Sequence, residues 1–171
     1  MSLSERMRAA APLAGLAGIF ILGLSGCIRP MYGANGVNNK LAEIEVAPVP
    51  ERVGHYLVEE LKFETDGSGN RPPPRYRLTL TATSAAVGTI VDIGSQRADA
   101  AVVMVNATYS LAEIVGGRIV ISGAANASAS YDRTEQRYAN VRAARDAEIR
   151  AATVLADQIR TRLAVALLKE Q

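Results

Sequence analysis

Few residues of this 171-residue chain could perform chemistry, and they do not form a catalytic set. Cys27 is its only cysteine and His55 its only histidine, and we expect His55 on the surface of a helix. The Asp and Glu residues are scattered, whereas a zinc site needs several His and Cys residues close together. No glycine-rich phosphate loop lies between a strand and a helix. We therefore expect neither an enzyme nor a metal site nor a bound cofactor.

The surroundings of Cys27 indicate that its thiol is acylated. A basic start with Arg6 and Arg8 leads into an apolar run over residues 9–24, which is shorter than the roughly 20 residues of a membrane span. The sequence Leu24-Ser25-Gly26-Cys27 then resembles the bacterial lipobox, in which the cysteine sulfur takes a diacylglyceryl group and the signal peptide is cut just before it. The alternative is an ordinary cleaved signal peptide with a cysteine beside it.

This interpretation divides the chain into three parts. Residues 1–26 are a lipoprotein signal peptide that is removed, residues 27–40 are a lipidated tether rich in Gly and Asn, and residues 41–171 form a single domain. The diacylglycerol and N-acyl chain on Cys27 anchor the protein, because two or more acyl chains hold a protein stably on a membrane. Ile28 replaces the Asp that often retains lipoproteins at the inner membrane. We therefore predict an anchor on the periplasmic side of the outer membrane.

The hydrophobic periodicity predicts an α+β domain. Period-two and helical patterns alternate in the order β-α-β-β-β-α: strand 41–47, helix 53–63, strands 75–83, 101–111 and 119–131, and helix 138–169, with loops at 65–74 and a long hairpin tip at 87–99. This order favours a four-stranded, mostly antiparallel (mixed) sheet with two helices packed on one face. Because aromatic residues make up only 5% of the chain, the core is built from small aliphatic side chains.

One face of this sheet is predicted to be polar but uncharged. The residues on it are short and able to form hydrogen bonds: Thr79, Thr81, Thr83, Asn106, Thr108, Ser110, Ser122, Asn126, Ser128 and Ser130. Such a face suits close contact with another polar wall, because no charge has to be desolvated. The alternative is a plain solvated sheet in which Thr is favoured by its strand propensity.

The charged residues indicate anion contacts at most. The formal net charge of +2 gives no sign of the clustered basic surface that nucleic-acid binding requires, so we expect no nucleic-acid partner. Arg75 and Arg77 follow the loop, and Arg97 lies in the predicted hairpin tip. Arginine binds phosphate through two parallel hydrogen bonds, so these three residues are candidates for contact with a phosphorylated lipid head group. The alternative is ordinary solvated surface arginine.

The residues that follow the lipobox carry a family resemblance. The sequence Cys27-Ile28-Arg29-Pro30-Met31-Tyr32-Gly33 resembles the start of the LPS-assembly lipoprotein family, LptE, and the order of strands and helices is similar over the whole mature chain. The resemblance implies an outer-membrane lipoprotein that plugs the β-barrel LptD, helps it to assemble and helps to deliver lipopolysaccharide to the outer leaflet. It identifies LptD and lipopolysaccharide as partners, and Arg97, Arg75 and Arg77 as candidate contacts. The alternative function is an accessory lipoprotein of another envelope transport system that binds a lipid or small molecule itself.

Overall fold

The computed structural model describes residues 37–66, 72–92 and 97–169, and of residues 89–92 and 97–99 it describes the backbone. Cys27 lies outside these residues. The elements in chain order are α1 (Val37–Ala42), β1 (Ile44–Val46), α2 (Arg52–Thr65), β2 (Tyr76–Asp92), β3 (Arg97–Glu113), β4 (Ile119–Asp132) and α3 (Arg137–Lys169).

The strands form one sheet in the order β1-β2-β3-β4. The first pair is parallel and the other two pairs are antiparallel, so the mixed α+β sheet predicted from the sequence is confirmed. We call the end where β2 begins and β3 ends the basal end, and the end where Asp92 pairs with Arg97 the hairpin end. Helices α2 and α3 pack against the same face, the covered face. The opposite face, which no described element covers, is the open face.

The covered face holds the hydrophobic core. Leu78 and Leu111 of the sheet have no exposed surface, and neither do Leu155, Ile159 and Leu163 of α3. Each fully buried aliphatic side chain of this size contributes about 1.5–3 kcal/mol to folding. The alternation of apolar and polar residues in the strands therefore decides which face receives the helices.

The N-terminal part of the domain differs from the prediction. Residues 37–40, predicted as the end of a tether, begin helix α1, and the strand predicted over 41–47 is confined to Ile44–Val46. Tertiary contacts explain the helix: Val37 and Leu41 are buried, and the Lys40 ammonium donates a hydrogen bond to the Leu167 carbonyl (2.9 Å) at the end of α3. A helix of six residues would not hold without such packing.

The β2–β3 hairpin is longer than predicted. Residues 87–99 were expected to form the tip, whereas β2 continues to Asp92 and β3 already begins at Arg97. Register shifts between Gly88 and Val91 mark an irregular ladder there. Gly88, which favoured a loop in the sequence, thus lies beside an irregular pairing, in agreement with the role of glycine in bulges.

One charged side chain among the described residues, that of Glu148, is buried between the helices and the sheet. The Glu148 side chain of α3 is 4% exposed and forms a salt bridge with Arg52 at the start of α2 (Nη2 to Oε2, 2.8 Å). Its other oxygen accepts a hydrogen bond from the Ser84 hydroxyl of β2 (2.7 Å). Both carboxylate oxygens are satisfied, so this residue joins the two helices and the sheet at one point.

The edge strand β4 is partly blocked by the chain itself. Arg150 and Arg162 of α3 reach around this edge and donate hydrogen bonds to the carbonyl oxygens of Ser130 (3.0 Å) and Ala124 (2.6 Å). Charged side chains on an edge are a common protection against pairing with foreign strands.

Candidate functional site: the open sheet face

The open face is built from three long strands whose pairing aligns their outward residues in rows. From the basal end the rows are Arg77–Ala112, Thr79–Ser110–Ser122, Thr81–Thr108–Ala124, Thr83–Asn106–Asn126, Ala85–Met104–Ser128 and Val87–Val102–Ser130. The ten Ser, Thr and Asn residues predicted to share this face all lie on it. The period-two pattern therefore identified the members of the face correctly.

The strand residues of the open face are uncharged from the row that begins with Thr79 to the row that begins with Val87, both included. At about 3.3 Å per residue these rows extend over about 26 Å. The hydroxyls of Thr81 and Thr108 are hydrogen-bonded to each other across the strands, at 2.6 Å. A partner that covers these strand residues has to desolvate neutral hydroxyl and amide groups, which costs less than the desolvation of ions. It meets the cation of Arg162, from α3, at the β4 edge.

A shallow groove of about 410 Å³ crosses the middle of the open face. Its polar lining comes from Thr81, Thr83, Asn106, Thr108 and Asn126. Arg162 closes the groove at the β4 edge, where its guanidinium is held by the Ala124 carbonyl. The groove thus combines hydrogen-bond donors and acceptors with a single cation at its rim.

The hairpin half of the face is more apolar than the basal half. Val87 and Met104 are 54% and 46% exposed, beside Ala85 and Val102. Alternation along β3 puts Val102 and Met104 on the same face as the hydroxyl-bearing residues. The structure therefore divides the open face into a hydroxyl-rich basal half and an apolar hairpin half.

The structure does not bring Arg97 together with Arg75 and Arg77, the other two arginines predicted to contact lipid head groups. Arg77 forms a two-nitrogen interaction with a Glu45 oxygen (3.1 and 3.0 Å), and Arg75 lies 3.8 Å from Glu113. Arg97 pairs in register with Asp92, about 50 Å along the sheet from Arg77. A phosphate at Arg77 would have to displace a carboxylate of the same chain.

Two further features bear on the type of site. Among the described residues, no three His, Cys, Asp or Glu side chains are grouped so as to hold a metal ion. In the same ranges, no helix combines the length and the apolar character that crossing a bilayer demands.

The architecture is one found in bacterial lipoproteins of known structure. A candidate lipoprotein from Caulobacter crescentus shares it with a TM-score of 0.66 and 26% sequence identity, over 80% of this chain and 98% of the other. Rare lipoprotein B from Shewanella oneidensis (TM-score 0.56, 10% identity, 74% and 96% covered) and a minor lipoprotein from Acinetobacter baumannii (0.52, 12%, 72% and 92%) share the fold alone. No family model and no curated protein matches the chain.

Proposed function

We propose that this protein is an outer-membrane lipoprotein, anchored through acyl chains on Cys27, that plugs the lipopolysaccharide-translocating barrel LptD and helps it to assemble. In this role it helps to deliver lipopolysaccharide to the outer leaflet and is not an enzyme. The observation that carries the proposal is the uncharged open face, from the row of Thr79 to the row of Val87. The resemblance at Cys27–Gly33 and the lipoproteins that share the fold support the anchor.

The dimensions of the open face suit a barrel lumen. The apolar outer band of an outer-membrane barrel is about 25 Å tall, and its interior is polar. The uncharged rows extend over a similar length, about 26 Å at 3.3 Å per residue. Short hydroxyl side chains allow two polar surfaces to approach each other closely, and their hydrogen bonds can be exchanged for bonds to the wall of the lumen.

The test is capture of the partner from detergent-solubilised outer membranes, through an affinity tag at the C-terminus, with mass spectrometry of the eluate. We expect a large β-barrel in the eluate, and loss of the correctly assembled barrel when the protein is depleted. A protein that elutes alone would contradict the plug function. A protein that elutes with a bound lipid and no barrel would favour the accessory lipid-binding lipoprotein instead.

A matched pair of variants assigns the contact to the open face. Thr108→Glu places a charge in the middle of this face, where Thr108 is exposed, and should abolish co-purification of the barrel. Thr153→Glu places the same charge on the exposed side of α3 and should leave co-purification unchanged. Equal recovery of the barrel with both variants would contradict the assignment of the open face.

The anchor has its own test. In Cys27→Ala the thiol that takes the lipid is absent, so incorporation of a labelled fatty acid should disappear and the uncleaved precursor should persist. Processing of this variant to the mature size would instead indicate an ordinary signal peptide.

A further inference from the structure

Exposed apolar side chains gather at the basal end of the domain, beyond the hydroxyl-rich half of the open face. Val115 is 87% exposed, Ile119 is 62% exposed and Ile114 is 39% exposed. Pro73 and Pro74 are exposed as well, and they line a shallow depression together with Ile114 and Val115. We call these five residues the basal patch. Single exposed apolar residues are ordinary on a protein surface, but a group of them marks a contact surface.

The basal patch projects from the domain and is held in place. Gly116 and Gly117 adopt φ values of 91° and 66°, and a Cβ atom added at either would meet nothing within 4 Å, so the turn stands in open space. The Glu113 amide donates to the Arg118 carbonyl and closes the turn (2.9 Å), and the Ile114 amide donates to the Arg75 carbonyl (2.9 Å). The apolar side chains are therefore presented by a fixed backbone.

The N-terminal chain enters the domain at the same end. Helix α1 is about 9 Å long and leads into β1, which runs parallel to β2 from the basal end. Lys40 of this helix is bound to the Leu167 carbonyl, near the end of α3. Cys27 precedes Val37 by ten residues, a length of chain that spans at most about 36 Å. An anchor on Cys27 thus keeps the start of α1 within that distance of its membrane.

We propose that the basal patch docks on the phospholipid bilayer that holds the anchor. The inference rests on the acylation of Cys27 in the proposed function and not on the barrel. Apolar side chains enter the boundary between head groups and acyl chains. Arg75 and Arg118, which both pair with the Glu113 carboxylate beside the patch (3.8 and 3.0 Å), can stay with it at head-group level. Docking would orient the long axis of the sheet away from the membrane before the protein meets its partner.

The chain contains no tryptophan, so one introduced tryptophan reports its own environment. We would prepare the acylated mature protein with Val115→Trp, in vesicles of phosphatidylethanolamine and phosphatidylglycerol with and without brominated acyl chains. The matched control is Ser128→Trp, at an exposed position in the hairpin half of the open face. We expect blue-shifted emission and loss of most of the fluorescence to brominated lipid for Val115→Trp, and water-like, unquenched emission for Ser128→Trp.

Two variants in the Val115→Trp background test whether the apolar patch and the anchor cause the blue shift and the quenching. Ile119→Asp should return the emission to that of water, because a charged group enters the bilayer interface at high cost. Cys27→Ala produced without its signal peptide, and therefore without acyl chains, should do the same, because the anchor supplies the local concentration. Equal emission and quenching of the two tryptophan reporters would overturn the docking proposal. Since no barrel is present, that result would leave the plug function standing, and failure to capture a barrel would leave the docking result standing.

Discussion

The two faces of the β2–β3–β4 sheet are made by the same strands and differ in almost every property. The covered face is apolar and packed by α2 and α3, with residues such as Leu78 and Val105 fully buried. The strand residues of the open face are uncharged from the row of Thr79 to the row of Val87, and the Thr and Asn residues among them are exposed. In a strand, successive side chains point to opposite faces, so one sequence serves both surfaces.

The covered face stabilises the fold, whereas the open face is the surface that the proposed function assigns to a partner. The free energy of folding comes mainly from the covered face, because apolar area is removed from water there. The open face contributes little to stability and is therefore free to be shaped by a partner. Substitutions on the two faces should have correspondingly different effects on stability.

The largest expected effect is in the core of the covered face. Leu155→Ala should lower the free energy of unfolding by about 2–5 kcal/mol, because Leu155 is fully buried and its removal leaves a cavity. Thr153→Ala, two residues away on the exposed side of α3, is the control and should change it by less than about 0.5 kcal/mol. Equilibrium urea unfolding followed by circular dichroism measures both. Similar urea midpoints for Leu155→Ala and Thr153→Ala would contradict the prediction that the covered face supplies most of the stability.

The next effect concerns Glu148, the one charged residue that is buried among the described residues. Arg52→Ala should destabilise the fold by about 1–3 kcal/mol, since it leaves the buried Glu148 carboxylate with the Ser84 hydroxyl as its remaining partner. The loss should be smaller than the roughly 3–5 kcal/mol of a fully buried pair, because the Arg52 side chain is 57% exposed. The double variant Arg52→Ala/Glu148→Leu should recover much of the loss in thermal unfolding. No recovery would mean that Arg52 acts through packing and not through its charge.

A smaller effect is expected on the open face. Thr108→Ala removes the hydrogen bond to Thr81, yet it should change the free energy of unfolding by no more than about 0.5 kcal/mol, because both hydroxyls are exposed to water. Urea unfolding of Thr108→Ala and Leu155→Ala under the same conditions compares the contributions of the two faces to stability. A loss of several kcal/mol would show that the open face supports the fold as well.

The smallest expected effect is a pH dependence of the stability, which arises from Glu64 at the contact between α2 and α3. Burial raises the pKa of Glu64 above its usual 4.5, Asp157 and Glu60 raise it further, and Arg160 opposes them. The folded state therefore binds the proton more tightly than the unfolded state, and stability falls as pH rises from 4.5 through the raised pKa. Glu64→Gln should make the protein slightly more stable at pH 7 and flatten this slope in thermal unfolding at a series of pH values. An unchanged slope would show that Glu64 does not cause it.

The periodic parts of the fold could be predicted from sequence. Alternation identified the three long strands and the residues of each face, and the helical spacing from Ala144 to Leu167 identified α3 with Glu148 as the one polar interruption. These patterns are local, and burial of one face enforces them. Helix α1 was missed because its stability comes from contacts with distant residues such as Leu167, which no local pattern reveals.

The residues that form the candidate site could be predicted from the sequence, but the ion pairs of the nearby arginines could not. The Thr, Ser and Asn residues of the open face follow from period two, whereas the partners of the arginines depend on strand register. Glu45 meets Arg77 because β1 pairs with β2 in parallel, a pairing that brings together residues 32 positions apart. A surface arginine therefore cannot be judged free from the sequence around it.

The two arginines at the β4 edge affect whether neighbouring copies of the protein can pair their strands. A foreign strand that approached β4 would have to break the charge-assisted bonds of Arg150 to Ser130 and Arg162 to Ala124 before it could pair there. The growth of the sheet by addition of further copies is thus opposed by the protein's own helix. Copies held close together on one surface are therefore not expected to join their sheets through β4.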